Sequence, residues 1–188
     1  MTSDPLVAVV HQRLPAPPHV VYDEWTDASR LAEWMCPRPA RCLSVTADPW
    51  IGGAVRFEIE DSGLVFAVSG NYVMLDKPHR VAFTWSCSTW PDPTAQSLVT
   101  VTIEPDGPGY SLMTIEHTLL PSGLADQHAR GWAQIGEQLA GRLSPGSGDP
   151  GGSRPADRQA GDQRLAASGG QPGRARGRTA SRPTRPSR

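Results

Sequence analysis

Chemistry in this 188-residue chain would have to come from five histidines, three cysteines and a few strand carboxylates. His11, His19, His79 and His128 share no spacing with one another or with carboxylates that would hold a metal, and no His-Glu-x-x-His occurs. No serine sits in Gly-x-Ser-x-Gly, and nothing pairs a nucleophile with a base. Glu58, Glu60 and Asp61 read as a solvated strand end. Cys36, Cys42 and Cys87 form no Cys-x-x-Cys, and a Cys36–Cys42 zinc half-site has no histidine nearby. The expectation is reduced thiols in the cytosol. Gly52-Gly53 could cradle a phosphate, but it reads better as a bulge or a sharp entry into a curved strand, where a Cβ would clash. His117 has the inward parity of its strand. It could act as a base, orient a polar ligand head or be a hydrogen-bonded core residue.

The aromatic residues carry the stronger signal. Trp34, Phe57, Phe83, Trp85 and Trp132 fall on inward faces of different elements. They either fill a core or line an apolar pocket with a few polar groups, such as His117 with Cys87 or Ser86. The candidate ligand-binding set is therefore Trp34, Phe57, Phe83, Trp85, His117 and Trp132. No catalytic residue, metal or cofactor is assigned.

The elements that must position this set follow from periodicity. Residues 6–14 read as a strand stopped by Pro15-Ala-Pro-Pro18. Val20, Val21 and Trp25 recur at helical spacing, with Asp23 and Glu24 expected to face solvent. Asp27 or Ser29 caps a second short helix with Leu31, Trp34 and Met35 on its apolar face, ended by Pro37 and Pro39. From Cys42 the period falls to two. Val55, Phe57 and Ile59 alternate with charged residues, Asp61-Ser-Gly63 marks a hairpin turn, and Val81-x-Phe83-x-Trp85, Val99-x-Val101-x-Ile103 and Met113-x-Ile115-x-His117 follow. Trp132, Ile135, Leu139 and Leu143 stripe a final long helix, with Glu137 and Gln138 expected outside. The prediction is an α+β fold of order β-αα-β6-α. About seven antiparallel strands curve round one long C-terminal helix.

Several segments resemble a known family. Pro17-Pro18…Val21-Tyr22…Trp25, Asp48…Gly52-Gly53…Arg56-Phe57, Asp76-Lys-Pro-His-Arg-Val-Ala-Phe-Thr-Trp85, Ile115-Glu-His117 and Gly131-Trp132…Leu139 occur in this order. Over about residues 6–143 the chain is similar to bacterial relatives of the activator of heat-shock-protein-ninety ATPase homologues, in the SRPBCC or START-like superfamily. The resemblance implies the helix-grip fold, in which a curved sheet grips a helix. It leaves function open among three expectations. The first is non-enzymatic binding of a hydrophobic or aromatic small molecule between sheet and C-terminal helix. The second is a co-chaperone-like protein-interaction module acting on a heat-shock ATPase. Five residues precede the first expected strand, whereas the eukaryotic-type activator has an additional N-terminal domain, which counts against this reading. The third is a polyketide cyclase-like enzyme, for which the sequence offers little beyond His117, Tyr72 and Tyr110.

Composition divides the chain. Residues 1–143 hold every Trp, Phe, Tyr, Met, His and Cys and carry 9 Lys+Arg against 16 Asp+Glu. Residues 144–188 carry 9 Arg against 3 Asp and are dense in Pro and Gly. This stretch is expected to be a disordered tail, because it cannot bury enough apolar surface to offset chain entropy. Weak contact of its arginines with nucleic acid is conceivable, but no aromatic is present to stack on bases. No apolar run approaches the ~18 residues of a membrane span, and no leader-like segment is visible. The expected partners are an apolar small molecule and a possible protein, in the cytoplasm, with no membrane.

Overall fold

The computed structural model describes residues 7–146, and the expected tail lies outside them from residue 147 onward. The described chain runs β1 (Ala8–Leu14), α1 (Pro18–Thr26), α2 (Ala28–Trp34), β2 (Arg41–Ala47), β3 (Ala54–Asp61), β4 (Leu64–Asp76), β5 (Arg80–Cys87), β6 (Ser97–Pro105), β7 (Ser111–Thr118) and α3 (Ala125–Leu143). The seven strands form one sheet in the order β1-β7-β6-β5-β4-β3-β2, with every neighbouring pair antiparallel. The β-αα-β6-α order and the curved sheet with its C-terminal helix are as the sequence indicates.

Local chemistry explains the joints. Pro18 opens α1, where its missing N–H costs nothing. Asp27 caps α2, accepting from the backbone N–H groups of Ser29 at 2.9 Å and Arg30 at 3.1 Å. Between β3 and β4, Ser62 and Gly63 both have positive φ, the twist that a two-residue hairpin needs. The turn before β3 divides its work between two glycines. Gly52 takes the left-handed backbone, at φ +89°, while a Cβ on Gly53 would stand 2.0 Å from the Asp48 carbonyl oxygen. The crowding at Gly53 is the clash the sequence suggested.

The buried strand residues alternate, with Ala82 on β5 as an exception. Val55, Phe57 and Ile59 on β3 share the inner face with Val81, Phe83, Trp85 and Cys87 on β5 and with Met113, Ile115 and His117 on β7. Along α3, Trp132, Ile135, Gly136 and Leu139 are buried. The helix lies along β1, and Gly136 lets it come close to the Gln12 side chain. Because α3 favours the β1 edge, part of the inner face of β3, β4 and β5 is left beside the helix rather than beneath it.

Three local expectations fail, each for a tertiary reason. Glu24 does not face solvent; it is 2% exposed, because Arg30 and Arg142 close over it. Gln138 is half-buried. Its amide donates to the Trp34 and Cys36 carbonyls at 2.7 and 2.9 Å and its oxygen accepts from Arg38 N–H at 3.0 Å, which pins the α2–β2 connection to α3. Cys36 and Cys42 are not reduced thiols. The connection turns back on itself, their Cα atoms come within 5.9 Å, and they form a disulfide. Cys87 is a buried free cysteine. No helix of the described residues is long and apolar enough to cross a membrane.

Candidate functional site

The six candidate residues come together, with Trp25 at one side of the group. Trp25 stands edge-on to Trp34 at 5.0 Å and lies 6.2 Å from both Phe83 and Trp132. Trp85 lies 6.0 Å from Phe57, 6.3 Å from Phe83 and 5.4 Å from Trp132. Such offset and edge-on contacts add to plain area burial. All six are buried.

His117 sits at the bottom of this cluster, fully buried, and its ring roles are fixed by its neighbours. Trp132 Nε1–H donates to Nδ1 at 3.0 Å, so Nδ1 carries no proton and the proton is on Nε2. Nε2 lies 2.7 Å from Ser97 Oγ, and the Ser97 hydroxyl donates onward to the Trp85 carbonyl at 3.0 Å. Each group in this relay is satisfied. Burial, with a smaller contribution from nearby His128, lowers the His117 pKa to about 3. The ring is therefore neutral at physiological pH, and its hydrogen bonds tie α3, β7, β6 and β5 together.

The other groups available to an enzyme are also engaged. Tyr72 O–H donates to the Trp25 carbonyl at 3.0 Å, and burial raises its pKa. Tyr110 has the Arg13 guanidinium over its ring at 3.9 Å. Among the described residues no three His, Cys, Asp or Glu side chains gather as metal ligands would.

A cleft of about 590 Å³ opens where the sheet emerges from beside α3. Ile59, Phe66, Val68, Trp85 and Cys87 form its sheet wall, and Trp90 on the β5–β6 connection closes one end. Leu124, His128, Trp132 and Ile135 form the opposite wall, with Met35 at the end of α2. Its size lies within the ~300–1,000 Å³ usual for small-molecule sites. Of the candidate set, Trp85 and Trp132 line this cleft. Phe57 and Phe83 stand one ring behind Trp85, and His117 lies beneath Trp85 and Trp132, 5.8 Å from each. Trp34 lines a different recess.

Two wall residues lie outside the candidate set, Trp90 and His128. Trp90 lies in an aperiodic loop, edge-on to His128 at 5.9 Å. His128 stands one turn before Trp132, so helical spacing alone could have found it. Its ring is 4.9 Å from His117, and its Nδ1 bonds the Leu124 carbonyl at 3.0 Å. Burial lowers its pKa, which the bond to Leu124 partly opposes.

The second recess, about 610 Å³, lies at the other end of α3 between Glu24, Glu33, Trp34, Arg38, Gln138 and Arg142. Arg142 bonds Glu24 at 2.9 Å and also pairs with Glu33, while Glu24 also accepts from Arg30 at 3.1 Å.

Comparison with known proteins places this geometry. A family model described as "Activator of Hsp90 ATPase homolog 1-like protein" matches residues 15–144. Among solved structures, protein CV1439 of Chromobacterium violaceum is 27% identical with a TM-score of 0.69, over 74% of this chain and 98% of that one. An HSP90 activator of Plasmodium falciparum, PFC0360w, is 22% identical with a TM-score of 0.55, over 69% of this chain and 89% of that one. CalU16 of Micromonospora echinospora is 22% identical with a TM-score of 0.56, over 74% and 76%. At such identities the last two share the fold alone. No curated protein matches the sequence.

Proposed function

We propose, from the premise that this chain belongs to the activator of Hsp90 ATPase homolog 1-like family, that it binds a small apolar, aromatic molecule in the cleft beside α3. The cleft itself carries this reading: a ligand-sized space walled by Trp85, Trp90, Trp132, Phe66 and Ile59. The polar groups behind it are tied up in holding the fold, so the role is binding rather than catalysis. Of the candidate set, Trp85 and Trp132 touch the ligand, Phe57, Phe83 and His117 support them from behind, and Trp34 stands apart at the other recess. A cytosolic setting belongs to the same proposal, and there the Cys36–Cys42 bond would be open to reduction.

Titration with naphthalene-sized aromatic compounds should quench tryptophan fluorescence saturably, with micromolar affinity, about -8 kcal/mol. Phe66→Arg should abolish this by placing a charge in the apolar wall, with an unchanged circular dichroism spectrum as the control for folding. Failure of a broad panel of aromatic ligands to saturate would refute the reading.

One observation favours a second reading, a module that docks on a heat-shock ATPase. Trp50 and Ile51 are 59% and 64% exposed at the tip of the β2–β3 turn. Backbone bonds from Gly52 N–H to the Tyr72 carbonyl at 2.7 Å and from Tyr72 N–H to the Gly53 carbonyl at 2.9 Å hold that tip in place. A rigidly presented tryptophan suits a protein hot spot. Trp50→Ser should remove stimulation of an Hsp90-type ATPase while leaving cleft binding intact, and an unchanged stimulation would count against the docking role.

A further inference from the structure

The segment joining α2 to β2 is part of the cleft wall and is itself closed by a covalent bond. Met35, Pro37 and Ala40 border the cleft. Met35 and Ala40 are buried in the core cluster. Cys36 and Cys42, six positions apart, join the two ends of this segment. Cys42 pairs across the ladder with Ile59, a further cleft residue. The disulfide thus ties together parts of the chain that the cleft needs in place.

The other restraints on the segment are unevenly placed. Its first half is clasped by Gln138, which bonds the Trp34 and Cys36 carbonyls and the Arg38 N–H. Its second half leads into β2, the last strand of the sheet, whose register with β3 shifts just after Cys42. The Arg41–Glu60 ion pair there involves a 73% exposed arginine and adds little. A strand end held this lightly opens locally at small cost, so the disulfide is the main restraint on the second half. It is also within reach. A third space, about 460 Å³, is bordered by Cys36, Cys42, Arg38 and Glu33. Ala40 borders both this space and the cleft, so the segment stands between them.

From this juxtaposition we infer that the Cys36–Cys42 bond sets the affinity of the cleft. Oxidised, the segment stands preformed against the ligand. Reduced by a small dithiol, it loosens, and the cleft binds less tightly because binding must then order the wall. The inference rests on the cleft being a binding site and names how that site is regulated. A thiolate of the dithiol attacks one sulfur of the bond, and the other leaves as a thiolate and takes up a proton. The reductant's second thiol then displaces the cysteine still attached to it. The chain ends with two thiols, and the reductant carries the disulfide. Cys87 stays a thiol throughout, buried against the Thr89 hydroxyl at 3.1 Å.

The test titrates 2-acetylnaphthalene into the full chain by fluorescence, before and after treatment with dithiothreitol. Alkylation of the unfolded chain and its mass count the free thiols, Cys87 alone in the oxidised form and all three cysteines in the reduced form. The reduced form should bind roughly threefold to tenfold more weakly, the cost of ordering one or two side chains on binding, with an unchanged circular dichroism spectrum. Cys36→Ser combined with Cys42→Ser should bind like the reduced form and ignore dithiothreitol, whereas Cys87→Ser should keep the response. If the double variant does not fold, the two wild-type forms and Cys87→Ser still decide. Equal affinity of the two wild-type forms overturns the inference and leaves the binding site standing. A response that survives in the double variant or vanishes in Cys87→Ser overturns it. So do three free thiols in a chain never exposed to reductant, or loss of the fold on reduction, since the bond would then hold the whole domain. If neither form binds, the cleft reading falls and the inference falls with it.

Discussion

The two recesses along α3 are nearly equal in volume, about 590 and 610 Å³, and opposite in chemistry. The recess at the C-terminal end of α3 is walled by charge, yet its charges answer one another. Arg142 is held between Glu24 and Glu33, and Glu24 between Arg142 and Arg30. The cleft at the N-terminal end is walled mainly by rings, and each recess borders one buried indole without an acceptor for its N–H, Trp34 at the seam and Trp85 at the cleft. Volume therefore does not distinguish a site from a seam between helices. The seam's charged groups already have partners inside the protein, whereas the cleft's inner wall presents rings and aliphatic side chains that a ligand could cover.

The largest expected effect tests whether the cleft end anchors α3. Trp132 is 2% exposed, contacts Trp25, Trp85 and His117, and supplies the proton that fixes the His117 tautomer. Trp132→Ala should cost about 3–5 kcal/mol in urea unfolding. A cost below ~1 kcal/mol would mean that the helix is held elsewhere and that the cleft wall is not rigid.

Glu24→Ala asks the same of the seam. Removing the carboxylate leaves two guanidinium groups without their shared partner, but Arg30 and Arg142 are 42% and 28% exposed and can turn to water. The expected cost is about 2 kcal/mol, below the ~3–5 of a fully buried pair. A larger loss than that of Trp132→Ala would reverse the ranking of the two ends.

These contrasts show what the sequence could and could not reveal. Alternation along β3, β5, β6 and β7 and the stripe through Trp132, Ile135 and Leu139 were legible, because one buried face imposes a period. Glu24 was misread, since a carboxylate on a short helix looks solvated until Arg142, 118 residues away, closes over it. The disulfide was missed because nothing local shows the α2–β2 connection folding back. Of the six candidate site residues, parity identified burial correctly. Parity cannot tell a wall from the layer behind it, and that depends on where α3 lies across the sheet. Trp90 was invisible because a loop has no period.

The relay beneath the cleft should appear in the pH dependence of stability. The folded His117 pKa is near 3, against 6.5 for a free ring. Below pH 6.5 the unfolded chain takes up a proton that the folded chain refuses. Stability is thus complete above 6.5 and falls as pH drops toward 3, by about 1.4 kcal/mol per unit for this one proton. His128, also shifted down, adds to the same limb. His117→Gln should be less stable at pH 7 but should show an acid limb shallower by about one proton between pH 6 and 4. An unchanged slope would mean that the ring is already charged when folded, and the neutral relay would be wrong.

The smallest expected effect sharpens the comparison most. Glu33 is 59% exposed and is the outer of Arg142's two carboxylate partners. Glu33→Gln removes one charge from the seam, but Glu24 at 2.9 Å keeps Arg142 in place. An exposed partner of this kind contributes about 0–1 kcal/mol, and less at high salt. The thermal midpoint should therefore move by no more than a few degrees for a domain of this size. Cleft binding of 2-acetylnaphthalene should not change at all, because the charge removed stands at the far end of α3 and faces none of the cleft's walls. The measurement is a pair of titrations, wild type and variant, in the same buffer at two salt concentrations. Matching affinities in both salts would leave the recesses as independent features. A severalfold change in affinity would show that the seam positions the helix that walls the cleft. The charged end of α3 would then be part of the binding apparatus rather than its structural counterpart.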